Sequence, residues 1–300
     1  MFVRRLAFCL GLFLVGAPAT APAQMPALLP EVGQTVPARG EIPAIVRVVS
    51  FNVHHADDLP ALVASIRSHS ELCSADVWLL QEMEAFPSEG KSRTQKLAEA
   101  LGLNYVYAPA RLKEAGDGTH GLAVLSRFPL SDIEVIPLKQ FTLGVNTRRR
   151  IALGVTLHLR ERRLRVYNLH LDTRINADQR IEQLRAVVEA ALRQPLREII
   201  LGGDFNTNPL YWLLPLLPVF HSNQAKAVDH YMNQTGFATP FAEGGGTVNK
   251  WYGKYRVDAV YSRGLAVRGS NIESGVSVSD HFPLWVDLVV PPVETEKVAR

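Results

Sequence analysis

Two periods of apolar spacing alternate along this chain. Ile45–Val53 is β-branched and apolar enough for a buried strand, and helical spacing follows over Leu59–Leu72. Val77–Leu80 predicts the next strand and Arg93–Leu101 the next helix. Short strands are expected near Asn104–Ala108, Leu122–Ser126 and Ile133–Pro137. Ile151–Leu159 and Leu164–Leu171 flank the charged stretch Arg160–Arg163 and predict a hairpin. Ala177–Leu192 has helical periodicity, ended by Pro195, and Glu198–Leu201 predicts a buried strand. Val257–Tyr261, Leu265–Ile272 and Leu284–Val290 complete the strands. Strands that alternate with helices early and pair as hairpins late predict an α/β fold, a mixed sheet system faced by helices.

Several strands carry polar residues where apolar ones are expected. Strand residues i, i+2 and i+4 share a face, so Ser50, Asn52 and His54 lie opposite Val49, Phe51 and Val53. Asn168, His170 and Asp172 likewise lie opposite Tyr167, Leu169 and Leu171, and Asp204 matches Asn206 in Gly202–Asn206. A buried polar group without a partner costs about 1–3 kcal/mol, so the set points to strand ends meeting at one polar crevice. Glu82 directly after the strand 77–80, Asp258 at the start of another, and Asp280-His281 before the last add the same chemistry. Carboxylates and an Asn carbonyl are hard oxygen ligands suited to Mg²⁺, Mn²⁺ or Ca²⁺. The absence of HExxH spacing argues against an ordinary zinc site.

The ordered blocks SFNVHH (50–55), LLQEM (79–83), GLAVLSRFPL (121–130), NLHLD (168–172), GGDFN (202–206), RVDAVYS (256–262) and SDHFPLW (279–285) resemble the endonuclease/exonuclease/phosphatase superfamily with the DNase I-like fold. The resemblance spans about residues 45–290 and implies a four-layer α-β-β-α sandwich with its site at one end, where loops of both sheets converge. It implies a Mg²⁺- or Mn²⁺-dependent phosphohydrolase, expected to be a phosphodiesterase acting on nucleic acid, a phospholipid headgroup, an inositol phosphate or another small phosphodiester. Asn52 and Glu82 match the metal-binding positions, joined by Asp280 directly or through water. His281 matches the catalytic histidine and Asp258 its orienting carboxylate. Asp204 matches the residue that aligns or deprotonates the attacking water, and His170 and Asn206 match groups that hold the phosphate. His54 stands where apurinic-site endonucleases of the superfamily carry Asp, which argues against that subgroup. A secreted binding module that has lost catalysis is the competing reading; Glu82, Asp204 and His281, all present, oppose it.

The first residues change the picture of the compartment. Arg4 and Arg5 precede an apolar run, Leu6–Val15, and Ala21-Pro22-Ala23 offers a cleavage site, so residues 1–23 predict a signal peptide and a secreted or periplasmic protein. Residues 24–44 read as an extended proline-containing leader and 291–300 as a polar tail. The whole chain carries 32 Lys and Arg against 29 Asp and Glu; losing Arg4 and Arg5 leaves 30 against 29, a net charge of +1. That balance does not favour a polyanion track, although Arg148-Arg149-Arg150 and Arg174 are candidates for a basic substrate rim. Of the two cysteines Cys9 leaves with the peptide, so Cys73 has no intrachain partner. No obligate protein partner is evident, and no later segment has the length of a membrane span. His55, of opposite parity to Asn52, reads as structural, and His120 as a loop histidine. Leu210–Phe220 is expected to be a buried cap; exposed, it would suit a membrane surface or a lipid groove. Gly244–Gly246 reads as a flexible turn.

Overall fold

The computed structural model describes residues 28–292 apart from 35, 37–42, 115, 144–147, 214–216, 221–222 and 251–252. The expected signal peptide, much of the leader and most of the polar tail therefore lie outside the described residues. In chain order the strands and helices are β1 (Glu31–Gly33), β2 (Ile45–Asn52), α1 (Leu59–Ser68), α2 (Ser70–Cys73), β3 (Val77–Ala85), α3 (Arg93–Leu101), β4 (Asn104–Leu112) and β5 (Thr119–Ser126). They continue with β6 (Leu130–Pro137), β7 (Ile151–Leu159), β8 (Arg162–His170), α4 (Ala177–Leu192), β9 (Ile199–Asp204), β10 (Leu210–Leu213) and β11 (Leu217–Phe220). The last are α5 (Gln224–Gln234), β12 (Val248–Lys250), β13 (Gly253–Tyr255), β14 (Asp258–Arg263), β15 (Ala266–Ile272) and β16 (Leu284–Val289).

Local chemistry explains the helix ends. Ser92 accepts the Gln95 amide at 3.0 Å to start α3, and Gly102, at φ 66°, ends it. Asn176 and Gln179 form a capping box on α4. The single helix expected over Leu59–Leu72 is two, because His69 turns extended (φ −106°, ψ 111°) between α1 and α2.

Two sheets stack face to face. The first runs β1-β4-β5-β3-β2-β16-β15 and the second β14-β9-β8-β7-β6. Val46, Val48, Val77, Leu79, Val124, Leu153, Val166 and Ile200 interleave between them. Val49, Phe51, Trp78 and Leu80 face the other way, against Leu62, Ile66 and Leu97 of α1 and α3. Tyr167, Leu169 and Leu201 meet Leu184 and Val188 of α4 and Val228 and Met232 of α5. Fully burying each such Val or Leu contributes about 1.5–3 kcal/mol. The result is the expected four-layer α-β-β-α sandwich.

Polar residues cross the inter-sheet layer as well. Asn168 Nδ2 donates to the Leu80 and Ala123 carbonyls at 2.8 and 2.9 Å, and Gln81 Nε2 donates to Asn168 Oδ1 at 2.7 Å. These bonds tie β8 of one sheet to β3 and β5 of the other.

The reading of Leu210–Phe220 as a buried cap is corrected. Its two strands, β10 and β11, are antiparallel and among the described residues pair only with each other, with Tyr211 opposite Val219 and Leu213 opposite Leu217. Those four side chains share one outward face and are 38, 43, 49 and 59% exposed for Tyr211, Val219, Leu213 and Leu217 respectively. Asn176 holds its inner edge, accepting the Trp212 amide at 2.8 Å and donating to the Trp212 carbonyl at 3.0 Å. Within the expected leader, Glu31–Gly33 forms an edge strand on β4.

Candidate active site

Both sheets contain one parallel pair of strands, and the site forms where those pairs end. Asn52 ends β2 beside Gln81 of β3; His170 ends β8 beside Asp204, which ends β9; Asp258 opens β14 opposite Asp204. Gly203 makes the last register possible. Its φ is 142°, and a Cβ there would lie 2.0 Å from the Leu169 carbonyl oxygen, so only glycine lets β9 approach β8 this closely.

Regular strand geometry does not place every candidate. Leu80 faces the helical layer, and unbroken alternation would send Glu82 the same way. A bulge between Gln81 and Met83 puts Glu82 at φ 61° and re-aims its side chain. After Val53 the chain turns through His54, His55 and Ala56 at φ 46°, 73° and 52°, and Asn206 sits at 51°. Five of the seven non-glycine residues with positive φ among the described residues therefore lie in or next to this region. Such conformations cost about 1–3 kcal/mol each and concentrate where function requires them.

Glu82, His170, Asp204, Asn206, Asp280 and His281 line one cavity of about 500 Å³. Asn52 and Asp258 are buried just behind its wall. Asn52 Nδ2 donates to Asp204 Oδ2 at 3.0 Å, and His281 Nδ1 shares a 2.8 Å hydrogen bond with Asp258 Oδ2. His170 Nε2 lies 3.4 Å from Asp204 Oδ2 and 4.0 Å from Glu82 Oε1. His281 Nε2 stands 3.9 Å from Asp204 Oδ2. The Asn206 amide nitrogen donates to Asp204 Oδ1 at 2.8 Å, and its side-chain Nδ2 to the Leu171 carbonyl at 2.9 Å. A larger cavity of about 590 Å³, lined by Thr207, Asp229 and Arg256 among others, holds none of the eight candidates.

The electrostatics separate these groups. Burial, then the like charge of Asp258, pushes the Asp204 carboxyl up to about 7, against the pull of His281. Burial opposes the charged form of His281, but Asp258 first, then Asp204 and Asp280, hold its pKa at about 10. His170 is pushed well below the usual imidazole range by burial and by Arg150, His120, His281 and Arg111, so it is neutral.

Asp280 stands apart. Its carboxylate pairs with Lys250 Nζ at 2.5 Å and His54 Nδ1 at 3.4 Å and is part exposed. Hard oxygen atoms suited to a divalent cation are nevertheless present. The Glu82 carboxylate accepts no hydrogen bond among the described residues, and Asn52 Oδ1 accepts only the His54 amide, at 3.1 Å. His54, His55 and Glu82 also bring ligand atoms within 4.8 Å of one another.

Two histidine assignments change. His55, expected to be structural from its parity, lines the cavity because the chain leaves strand geometry after Val53. Its Nε2 lies 3.5 Å from Glu82, and its Nδ1 3.0 Å from buried Glu84. His120, expected in a loop, is a buried residue of β5 with Nδ1 3.6 Å from Glu84. Lys113 completes this cluster, its Nζ donating to Glu84 Oε1 at 2.6 Å. Burial opposes the Glu84 charge, but hydrogen bonds from His120, His55 and Lys113 hold the carboxyl well below the usual range. Trp212, Lys250 and Tyr255 also line the cavity. They come from β10 and from β12 and β13, elements with no signal in the strand periodicity.

No curated protein sequence matches this chain. Solved structures with similar folds include an endonuclease/exonuclease/phosphatase from Beutenbergia cavernae DSM 12333, at 22% identity over 83% of this chain and 72% of that one, with a TM-score of 0.64. The human Nocturnin catalytic domain with bound sulfate aligns at 18% identity over 82% and 93% of the two chains, TM-score 0.60. A Bacteroides thetaiotaomicron VPI-5482 mannosyl-6-phosphatase aligns at 19% over 82% and 100%, TM-score 0.57. The sequence signature of the Endonuclease/Exonuclease/phosphatase family matches residues 49–281. Members of that family are phosphoesterases that act on phosphate esters and typically use a divalent metal ion. With most of its length matched and the fold shared, the chain belongs to the endonuclease/exonuclease/phosphatase family.

Proposed function

We propose that this protein is a secreted or periplasmic, Mg²⁺- or Mn²⁺-dependent phosphoric ester hydrolase that cleaves phosphodiesters. The observation that carries the reading is the meeting of Asp204, the His281–Asp258 pair and Glu82 at one cavity. The leader-like residues 1–23 support the compartment.

Glu82 and Asn52 would hold the metal, with Asp280 joining once it parts from Lys250. A metal held there would supply positive charge to offset the negative charge that builds on the phosphate ester. Asp204, its carboxyl held near neutrality, is suited to align the attacking water and accept its proton. Asp258 fixes His281 in its charged form, with Nε2 as a donor to phosphoryl oxygens. Neutral His170 and the remaining amide hydrogen of Asn206 provide further donors.

The test is hydrolysis of bis(4-nitrophenyl) phosphate and 4-nitrophenyl phosphate with Mg²⁺, Mn²⁺ or EDTA. Diester cleavage is expected with either metal, lost in EDTA and reduced about 100-fold or more in Glu82→Gln. Undiminished activity in EDTA or in the variant overturns the proposal.

A further inference from the structure

A second cavity of about 200 Å³ adjoins the candidate active site and is lined by Leu143, Arg148, Arg150, Asp172, Thr173 and Arg174. Arg148, Thr173 and Arg174 belong to the walls of both cavities. Of the three arginines here, only Arg150 has a counterion among the described residues, its Nε donating to Asp172 Oδ1 at 3.1 Å. Arg148 and Arg174 form no ion pair or hydrogen bond among the described residues, and Arg148 Nε is buried without a partner. The Arg174 guanidinium lies over the Trp212 ring, 5.5 Å from its centroid. Stacking fixes a guanidinium by its face and leaves its in-plane N–H groups free for an oxyanion. Arg111 adds positive potential nearby; its Nε is also buried and unpartnered, and burial first, then Arg148 and Arg150, disfavour its charge against the pull of Glu114 and Glu82. Gathering more cations than the nearby carboxylates balance is unfavourable unless a ligand provides the anion.

We propose that Arg148 and Arg174 form a subsite for a second phosphate group of the substrate, beside the scissile one. This rests on the phosphohydrolase reading, though not on its preference for diesters, and narrows the substrates to esters bearing at least two phosphates within one small-molecule length. A sugar bisphosphate and a short nucleotide strand share that chemistry, and two arms of one experiment separate them.

Equilibrium affinities are measured by calorimetry in EDTA, where turnover plays no part, so failure here is distinct from failure of the hydrolase reading. One arm compares glucose 1,6-bisphosphate with glucose 6-phosphate, and the other the dinucleotide pTpT with thymidine 5′-phosphate. In at least one arm the two-phosphate ligand is expected to bind about tenfold or more tightly than its one-phosphate partner. The Arg148→Gln/Arg174→Gln double variant is expected to lose that preference, and Arg174→Lys, which keeps the charge but not the planar fork, to lose part of it. Preference in the sugar arm alone supports a small bisphosphate, and in the nucleotide arm alone a strand. Equal affinities in both arms, or a preference that survives the double variant, overturn the proposal.

Discussion

Asp258→Asn separates orientation from architecture at this site. The substitution keeps the side-chain volume and removes the charge facing His281 Nδ1 at 2.8 Å. Asp258 is the strongest of the groups that raise His281, whose own burial lowers it. With a neutral amide in its place, the imidazole loses its principal support for the charged form. An Asn carbonyl turned toward Nδ1–H would leave a neutral ring with no proton on Nε2 to donate. Loss of a positioned acid/base group costs about 10²–10⁴ in rate, or about 3–5 kcal/mol of transition-state stabilisation. Stability is expected to change much less. The lost bond to a charged group is worth about 1.5–3 kcal/mol, but the carboxylate it served was a buried charge. Asp258 Oδ1 is also buried without a partner, and the Asp258 charge opposes ionisation of Asp204. These terms offset, leaving a net change of about 1 kcal/mol or less, which is about 2–4 °C for a chain of this size. Steady-state kinetics on a diester and a thermal melt of the same sample provide the assay. The expected result is a kcat lower by about two to four decades with KM nearly unchanged, because Asp258 does not line the cavity. A kcat within about threefold of the native value would refute the orienting role. So would a loss of activity matched by loss of folded protein.

Three further outcomes follow from the packing. Gly203→Ala places a methyl against the Leu169 carbonyl and separates β8 from β9, so both activity and Tm are expected to fall; an unchanged melt would mean that the strands can part without cost. Asn168→Leu removes the side-chain donor shared by the Leu80 and Ala123 carbonyls and one acceptor of Gln81 Nε2, which keeps the Leu79 carbonyl at 2.9 Å; at about 1–3 kcal/mol for each buried group left short of a partner, a loss of a few kcal/mol is expected. A well-folded, cooperative Asn168→Leu protein would contradict that network. Leu213→Ser with Leu217→Ser on the outward face of the hairpin is expected to shift stability by about 0.5 kcal/mol or less per site while reducing self-association in light scattering; a Tm loss of many degrees would show that this face is packed.

How far the sequence reveals this fold depends on how local the deciding interactions are. α3 and α4 match their expected bounds because Ser92, Gly102 and the Asn176–Gln179 box punctuate them within a few residues. Strand parity correctly sends Asn52 and Asn168 to the inter-sheet side. It fails for His55, because positive φ values and not alternation set its direction. Glu82 stands out from its place directly after the strand 77–80 and from the LLQEM block, but the bulge that aims it has no signature in apolar spacing. α5 is not legible in the apolar spacing for a related reason. Its buried positions include Gln224 and Asp229, which look solvent-facing until their distant partners are known. Gln224 bonds Arg180, and Asp229 bonds Arg256 and Tyr261, in each case more than 25 residues away.

The same distinction divides the site into a fixed part and an adjustable one. Asp204, Asp258 and His170 are almost fully buried on strand ends, and Arg180 braces the segments that follow. Its guanidinium donates to the carbonyls of Asp172, Thr173, Ile175 and Phe205, and so ties the exits of β8 and β9 together. Groups held this way are pre-organised, so little reorganisation accompanies charge development on the substrate. The side bearing Asp280 is different. Lys250, from the short β12–β13 hairpin, and part-exposed His54 neutralise it. A cation arriving at Glu82 and Asn52 would compete with that lysine for Asp280, so metal affinity and the position of β12 are expected to be linked. Asp204, Asp258, His170, Asn52 and Glu82 are thus set by strands of the sandwich, whereas Asp280, Lys250 and the rim residues Arg148, Arg174 and Trp212 stand on loops and short hairpins. In a fold shared by phosphoesterases of different specificity, that is where substrate choice can vary without disturbing the chemistry.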